Sequence, residues 1–335
     1  MKSYLIYKNQ IQGVKDVSET VKAAEKIAAS SVHFLKQRVT NLNIYAVEVE
    51  KMLARLSVFY QKKDHPFLQK KHTGKKTLVI LTGNKGLTGG LWHNIINAFL
   101  ESAKQYQSII VVGAKGEHYL KEENAPIIKL FVNFSDVSKK EEIRHITSYI
   151  FSGFEGGMFS QVDILYPQFV SLAEQTASFI PFLPFEFISL EATNYGGRNV
   201  AEDKGYKQSP TDLKLTKKSG EGLPIFEPSK RKVFDRLLQK YIEIFFYKII
   251  METKLSEFSA RTVAMEHATA KTGELIQKLA LNYAKERRRV VTQRQLESFA
   301  AHKIIWIPSE VLGVKVQMKQ MRLFWIFVFC RYFYC

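Results

Sequence analysis

VKDVSETVKAAEKIAASSVHFLKQRVTNLNIYAVEVEKMLARLSVF, residues 14–59, contains neither glycine nor proline. Its seam recurs at alternating steps of three and four: Val14, Val17, Val21, Ala24, Ala28, Ser31, Leu35, Arg38, Leu42, Tyr45, Val49, Met52, Leu56 and Phe59. Twelve of these fourteen positions are apolar, which draws one continuous stripe along a helix. Such spacing predicts a long helix pressed against another helix. Gly13 and Pro66 bound the stretch.

A matching stretch lies near the other end. Between Pro228 and Pro308 only Gly273 interrupts the helical pattern, and the same steps run through Leu237, Tyr241, Ile244, Lys248, Met251, Leu255, Phe258, Thr262, Met265, Thr269, Thr272, Ile276, Leu279, Tyr283, Glu286 and Val290. Eleven of those sixteen are apolar, so this seam is weaker but longer. At 1.5 Å per residue the first helix would run roughly 75 Å and the second on the order of 110 Å. The shorter cannot cover the longer, so an end of the second must pack elsewhere. Nothing else in the chain offers long helices to complete a bundle.

Between them the pattern changes to alternating strands and helices. A basic linker, residues 70–76, precedes TLVILT (77–82), which reads as a buried strand. A glycine loop then leads to a helix over 91–106, a strand at 109–113, a helical segment near Glu117, and a third strand over 127–132. A helix over 136–151, capped by Asp136 or Ser138, and a strand at 162–166 follow. This order implies a mostly parallel sheet with covering helices. Residues 193–227, rich in Gly, Lys and Ser, read as an exposed connection.

Composition narrows the class. With 46% hydrophobic and 13% aromatic residues over 335 positions, the chain is globular, and two structural regions are expected from its length. A net charge of +17 asks for an acidic partner, whether nucleic acid, anionic membrane or an acidic protein surface. Both cysteines, Cys330 and Cys335, fall in the last six residues. Disulfides, thiolate zinc sites and cysteine catalysis are therefore excluded for everything before them. Residues 1–12 lack the apolar run of a signal peptide, and no stretch of about 20 apolar residues would span a bilayer.

Chemical motifs are scarce. TGNKGLTGGL (82–91) follows a strand and precedes a helix, the place where a phosphate would be cradled. It lacks both the GxxxxGK[ST] order and GxGxxG spacing, so Gly86, Gly89 and Gly90 read as residues for tight turns and close helix packing. The eight histidines, His65, His72 and His93 among them, show no ligand spacing. Ser160 and Ser171 lack a nucleophile-elbow context. Neither a catalytic constellation nor a cofactor or metal site is expected.

One block is specific. SARTVAMEHATAKTGELIQKLALNYAK (259–285), followed by Arg287 and by Val291, Thr292 and Gln293, resembles the signature of the gamma subunit of F-type ATP synthases. TVKAAEKIAASS (20–31), LTGGL (87–91) with Asn94 and Ile95, HPFL (65–68) and FEP (226–228) agree in order, so the resemblance covers about residues 10–293. It implies a fold of class α+α/β, an antiparallel coiled coil of the two terminal helices with a central Rossmann-like domain. The expected divisions are a first helix over 10–65, the α/β domain over 75–192, the connection over 193–227, the second helix over 228–303, and a tail over 304–335.

The resemblance also implies a role. In that family the coiled coil is the rotating central stalk inside a hexamer of alternating alpha and beta subunits, and its asymmetry drives three catalytic sites, all on other chains, into different states. Partners implied are the alpha and beta subunits, and at the foot the epsilon subunit and the membrane c-ring, on the cytoplasmic face of the bacterial inner membrane. Lys22, Arg261, Arg287, Arg288, Thr292 and Gln293 match positions of rotor contact or coupling, and Glu227 one near the foot. A basic helix end, Lys285 to Arg289, suits attraction to acidic loops without interlocking geometry. This chain departs from the family at Ala24, usually methionine, and at Thr88, usually cysteine. After Gln293 the register slips at Arg294 and Gln295, and the residues from Ile304 are unmatched, either a frameshifted end or a genuine extension. The rival from another class is a basic coiled-coil nucleic-acid binder, whose binding would weaken steeply with salt. It lacks a nucleic-acid motif and exposed aromatics among its cations.

Overall fold

The computed structural model describes residues 3–57, 65–71, 73–123, 125–132, 140–185, 227 and 229–305. A helix, α1 (Ser3–Ser57), opens the chain. The centre then runs β1 (Lys75–Leu81), α2 (Leu91–Ser102), β2 (Ser108–Val112), α3 (Ala114–Glu122), β3 (Ile127–Phe131), α4 (Lys140–Glu155), β4 (Phe159–Phe169) and β5 (Gln175–Leu183). The last element among the described residues is α5 (Lys230–Ile305). The strands form one sheet in the order β3-β2-β1-β4-β5, parallel except for β5, which pairs antiparallel with β4.

Alternation along the strands splits the core into two layers. Val79, Leu81, Ile110, Val112, Val162 and Ile164 face α4 and the paired long helices, whereas Leu78, Ile80, Ile109, Val111 and Leu165 face α2 and α3. Both faces of the inner strands are therefore covered, and their sequences read as unbroken apolar runs. Aromatic side chains join the first layer: Phe182 of β5 lies 6.5 Å from Phe151 of α4 and 5.4 Å from Phe246 of α5, ring centre to ring centre. The HPFL segment belongs here too. Phe67 packs 4.7 Å from Phe151, its N–H bonds to His65 Nδ1, and its carbonyl accepts from Phe185 N–H.

The described residues divide into two compact units, one within 16–273 and one of those up to 15 together with 274–305. In the larger, Ser18 bonds Thr272, Glu25 bonds Thr269, and Glu50 bonds Tyr241. One number rises as the other falls, so α1 and α5 run antiparallel. In the smaller, the rings of Tyr4 and Tyr283 meet edge to face at 6.0 Å.

The seam of α1 differs from its expected course in a systematic way. Val21, Ala28, Leu35, Leu42, Val49 and Leu56 lie on it as expected, buried or partly so. Val17, Tyr45 and Met52 do not: they are 54%, 52% and 53% exposed, while the next residues, Ser18, Ala46 and Leu53, are 8%, 0% and 0% exposed. The fully buried positions are thus 18, 28, 35, 39, 46, 49, 53 and 56, and with the partly buried 21, 25, 32 and 42 they make a heptad; Val14, Ala24, Ser31 and Arg38 of the expected course are partly buried beside it. Both stripes keep a three-and-four rhythm and share every second position, so rhythm alone cannot choose between them. In α5 every expected seam position is buried or partly buried, and from Val291 to Ala301 every residue is exposed.

Other differences are local. The first helix starts at Ser3 instead of residue 10, and Gly13 lies inside it with open space around it. The described part of α4 starts at Lys140; Asp136 and Ser138, the expected caps, lie outside the described residues, as do both cysteines and the tail from 306. β5 was not expected at all.

Candidate functional site: the seat of the long C-terminal helix

In an open parallel sheet, ligands bind beyond the carboxyl ends of the strands where the chain's winding reverses. Here that point lies between β1 and β4, since β2 and β3 succeed β1 on one side and β4 follows on the other. The glycine loop leaves β1 at this place. What occupies the crevice is α5.

β4 outruns β1. Pairing between them stops at Ile80 with Leu165, while pairing of β4 with β5 continues to Phe169 with Gln175. On the stretch that β1 leaves bare, Ser256 Oγ donates to Pro167 O at 2.8 Å, and Phe169 N–H donates to Glu252 Oε1 at 3.3 Å. Two α5 side chains therefore do for β4 what a neighbouring strand would do. Pro167 is tolerated inside a strand because no neighbour needs its missing N–H.

The glycine loop receives the next turn of α5. Glu257, 1% exposed, takes Lys254 Nζ at 3.0 Å on one oxygen and Arg261 at 2.8 Å on the other. Arg261 also donates to Gly86 O, from Nε at 3.3 Å and from its second nitrogen at 3.2 Å, and lies 5.0 Å from the centre of the Phe258 ring. A Cβ on Gly83 would fall 2.8 Å from the Glu257 carboxylate and 2.7 Å from Trp92, so only glycine leaves room for the charge. The rest of the loop is tied to α3: Asn84 Oδ1 accepts Ala114 N–H, Gly83 O accepts Lys115 N–H, and Thr82 Oγ1 accepts Gly116 N–H. The loop's carbonyl and side-chain oxygens thus receive the first amides of α3.

Below this seat the buried charges continue. From Ile244 to Thr262 every residue of α5 is buried, as expected for a helix enclosed on all sides. Burial pushes Lys248 below the usual ammonium range, against the opposing pull of Glu252 and Glu50. The Tyr166 phenol is held well above its ordinary value by burial and then by Glu252, and Tyr241 likewise by burial and then by Glu50. Both tyrosines are therefore permanent donors to carboxylates.

The residues singled out by resemblance are divided by this geometry. Arg261 is 8% exposed and engaged by its own chain. Lys22, Arg287, Arg288, Thr292 and Gln293 are exposed, Gln293 bonding Glu297 at 3.0 Å, and Glu227 is exposed ahead of α5. Glu252, Ser256, Glu257 and Gly83 were not singled out, and only their proximity to the signature could have pointed to them. Among the described residues no group of three or more His, Cys, Asp and Glu is placed to hold a metal ion.

Fold and site define a class: a chain whose terminal helices pair with each other and whose sheet crevice is filled by one of those helices instead of a ligand. A family model described as ATP synthase matches residues 4–297. A relative named ATP synthase gamma chain from Dehalococcoides mccartyi (strain CBDB1) is 29% identical over 302 residues, covering 89% of this chain and 97% of the relative. Another from Nitrosospira multiformis is 26% identical over 297 residues, 87% and 95%. Among solved structures, a chain of the Euglena gracilis mitochondrial ATP synthase in rotational state 3 superposes with a TM-score of 0.58 at 16% identity, covering 95% of this chain and 98% of that one. A chain of the rotor of the same enzyme in rotational state 1 gives 0.54 at 18% identity, covering 86% and 99%. The chain belongs to the ATP synthase family, among its gamma chains, which are non-catalytic subunits. The nucleic-acid reading has no support among these relatives.

Proposed function

We infer that this chain is the central stalk of an F-type ATP synthase, the rotor that couples ion flow through a membrane ring to conformational change at catalytic sites on the beta subunits. The observation that carries this reading is the family match across residues 4–297. The antiparallel pairing of α1 with α5 suits the role, because two helices locked by a heptad seam resist twisting better than either alone. Its partners are the alpha and beta subunits around the helices, and the epsilon subunit and c-ring at the foot. The chain is peripheral to the membrane, and no helix among the described residues is long and apolar enough to cross one. The bacterial relatives favour the cytoplasmic face of the bacterial inner membrane.

Within this reading Lys22, Arg287, Arg288, Thr292 and Gln293 meet the alpha and beta subunits, and Glu227 contributes near the foot. Their exposure supports the assignment. Arg261 contributes to coupling from inside the chain. Co-expression with alpha and beta subunits tests the whole: the expected product is a stoichiometric complex whose ATP hydrolysis requires this chain. Recovery of an alpha–beta assembly that never retains the chain would overturn the reading.

A further inference from the structure

We propose that Glu252, Ser256, Glu257 and Arg261 are positioning residues that lock α5 against rolling in its seat, so that rotation passes between the helix and the α/β domain without slip. The proposal rests on the rotor reading above. Most of the seat is apolar, with Tyr241, Ile242, Phe246, Ile249, Ile250 and Leu255 all within one hydrophobic cluster. Apolar contact is non-directional and by itself tolerates rolling. Directed bonds do not.

The placement of these bonds around the helix is what makes a lock. At about 100° per residue, Ser256 lies roughly 40° round from Glu252, whereas Glu257 and Arg261 lie about 140° and 180° round. The first two hold the bare edge of β4 through Pro167 O and Phe169 N–H; Arg261 bonds the glycine loop after β1 at Gly86 O, and Glu257 fills the space that Gly83 leaves. A helix pinned from opposite sides to two strand ends of one sheet cannot turn without breaking both sets. Rolling by one residue would keep Glu257 with Lys254 and Arg261, which share its helix, but would drive this buried charge cluster out of the space Gly83 leaves and take Arg261 off Gly86 O. Three of the four contacts are made to backbone atoms, positions that no side-chain rotation can move.

The test is made in the complete ATP synthase reconstituted into vesicles, following ATP hydrolysis and ion uptake together with a dye for protons or sodium. The complex with the unaltered chain must first assemble and hydrolyse ATP; failure there counts against the rotor reading and not against the lock. With Arg261→Met we expect hydrolysis to persist while ions moved per ATP fall, and Arg261→Lys to restore part of the loss, since one ammonium reaches Glu257 or Gly86 but not both. Unchanged ions per ATP in Arg261→Met would overturn the proposal, including the case where hydrolysis and transport decline in proportion. Should Arg261→Met not assemble, Ser256→Ala decides by the same criterion, because it removes one bond from the opposite side and leaves the buried charges paired.

Discussion

Gly83 and His65 show how single positions are fixed by what their neighbours require. Because a methyl group on Gly83 would meet both Trp92 and the Glu257 carboxylate, Gly83→Ala is expected to destabilise the chain by about 1–3 kcal/mol through overpacking. Urea unfolding of the purified chain measures it, and an unchanged midpoint would show that the crevice has slack. His65 accepts the Phe67 N–H on Nδ1, which only a neutral ring nitrogen can do. Burial, the largest influence, holds its pKa below 6.5 despite Asp235 at 3.9 Å. In the unfolded chain the ring gains a proton near 6.5 while in the folded chain it stays neutral to lower pH, so stability falls as pH drops below that value. Melting temperatures of the chain and of His65→Gln between pH 8 and pH 5 should converge at the acid end. Arg261 marks the limit of reading at this scale: a lone cation in a helix looks the same in sequence whether it faces solvent or its own glycine loop.

The two long helices were legible from their rhythm, but the phase of α1 was not. Val17 and Ser18, Tyr45 and Ala46, Met52 and Leu53 compete for the same stripe, and the larger residue of each of the first two pairs loses the buried place. Small side chains win at 18, where Ser18 Oγ meets Thr272 Oγ1 of the partner helix at 3.2 Å, and at 46. A direct check compares Leu53→Ala, expected to cost about 2–5 kcal/mol by leaving a cavity, with Met52→Ala, expected to stay within about 0.5 kcal/mol as a surface change. Equal costs would restore the other phase. The parallel strands β1, β2 and β4 were visible as apolar runs because both their faces are covered. β5 was hidden for the converse reason: in QTASFIPFL only Phe182 and Leu183 are buried, and Pro181 argues against a strand except at an edge. The overhang of β4 past β1 leaves no trace in composition, so the seat of α5 could not be read either.

Charge acts on the molecule as a whole. With a net +17 and an exposed run at Arg287, Arg288 and Arg289, association with an acidic partner surface should be fast and should weaken as salt rises. We expect Arg287→Ala with Arg288→Ala to flatten the salt dependence of association with the alpha–beta assembly, measured by surface-coupled binding at several ionic strengths. A slope identical to that of the unaltered chain would place the contact elsewhere. The seat of α5 has a consequence for biosynthesis. Gly86 waits for Arg261, 175 residues later, and Ser18 on the seam of α1 waits for Thr272 of α5, 254 residues later. At 5–20 residues per second the ribosome takes roughly 10 to 50 seconds to deliver these partners. Throughout this interval the bare edge of β4 and a long apolar stripe stand open on the nascent chain, which makes this a protein for chaperones to shelter until its last helix leaves the exit tunnel.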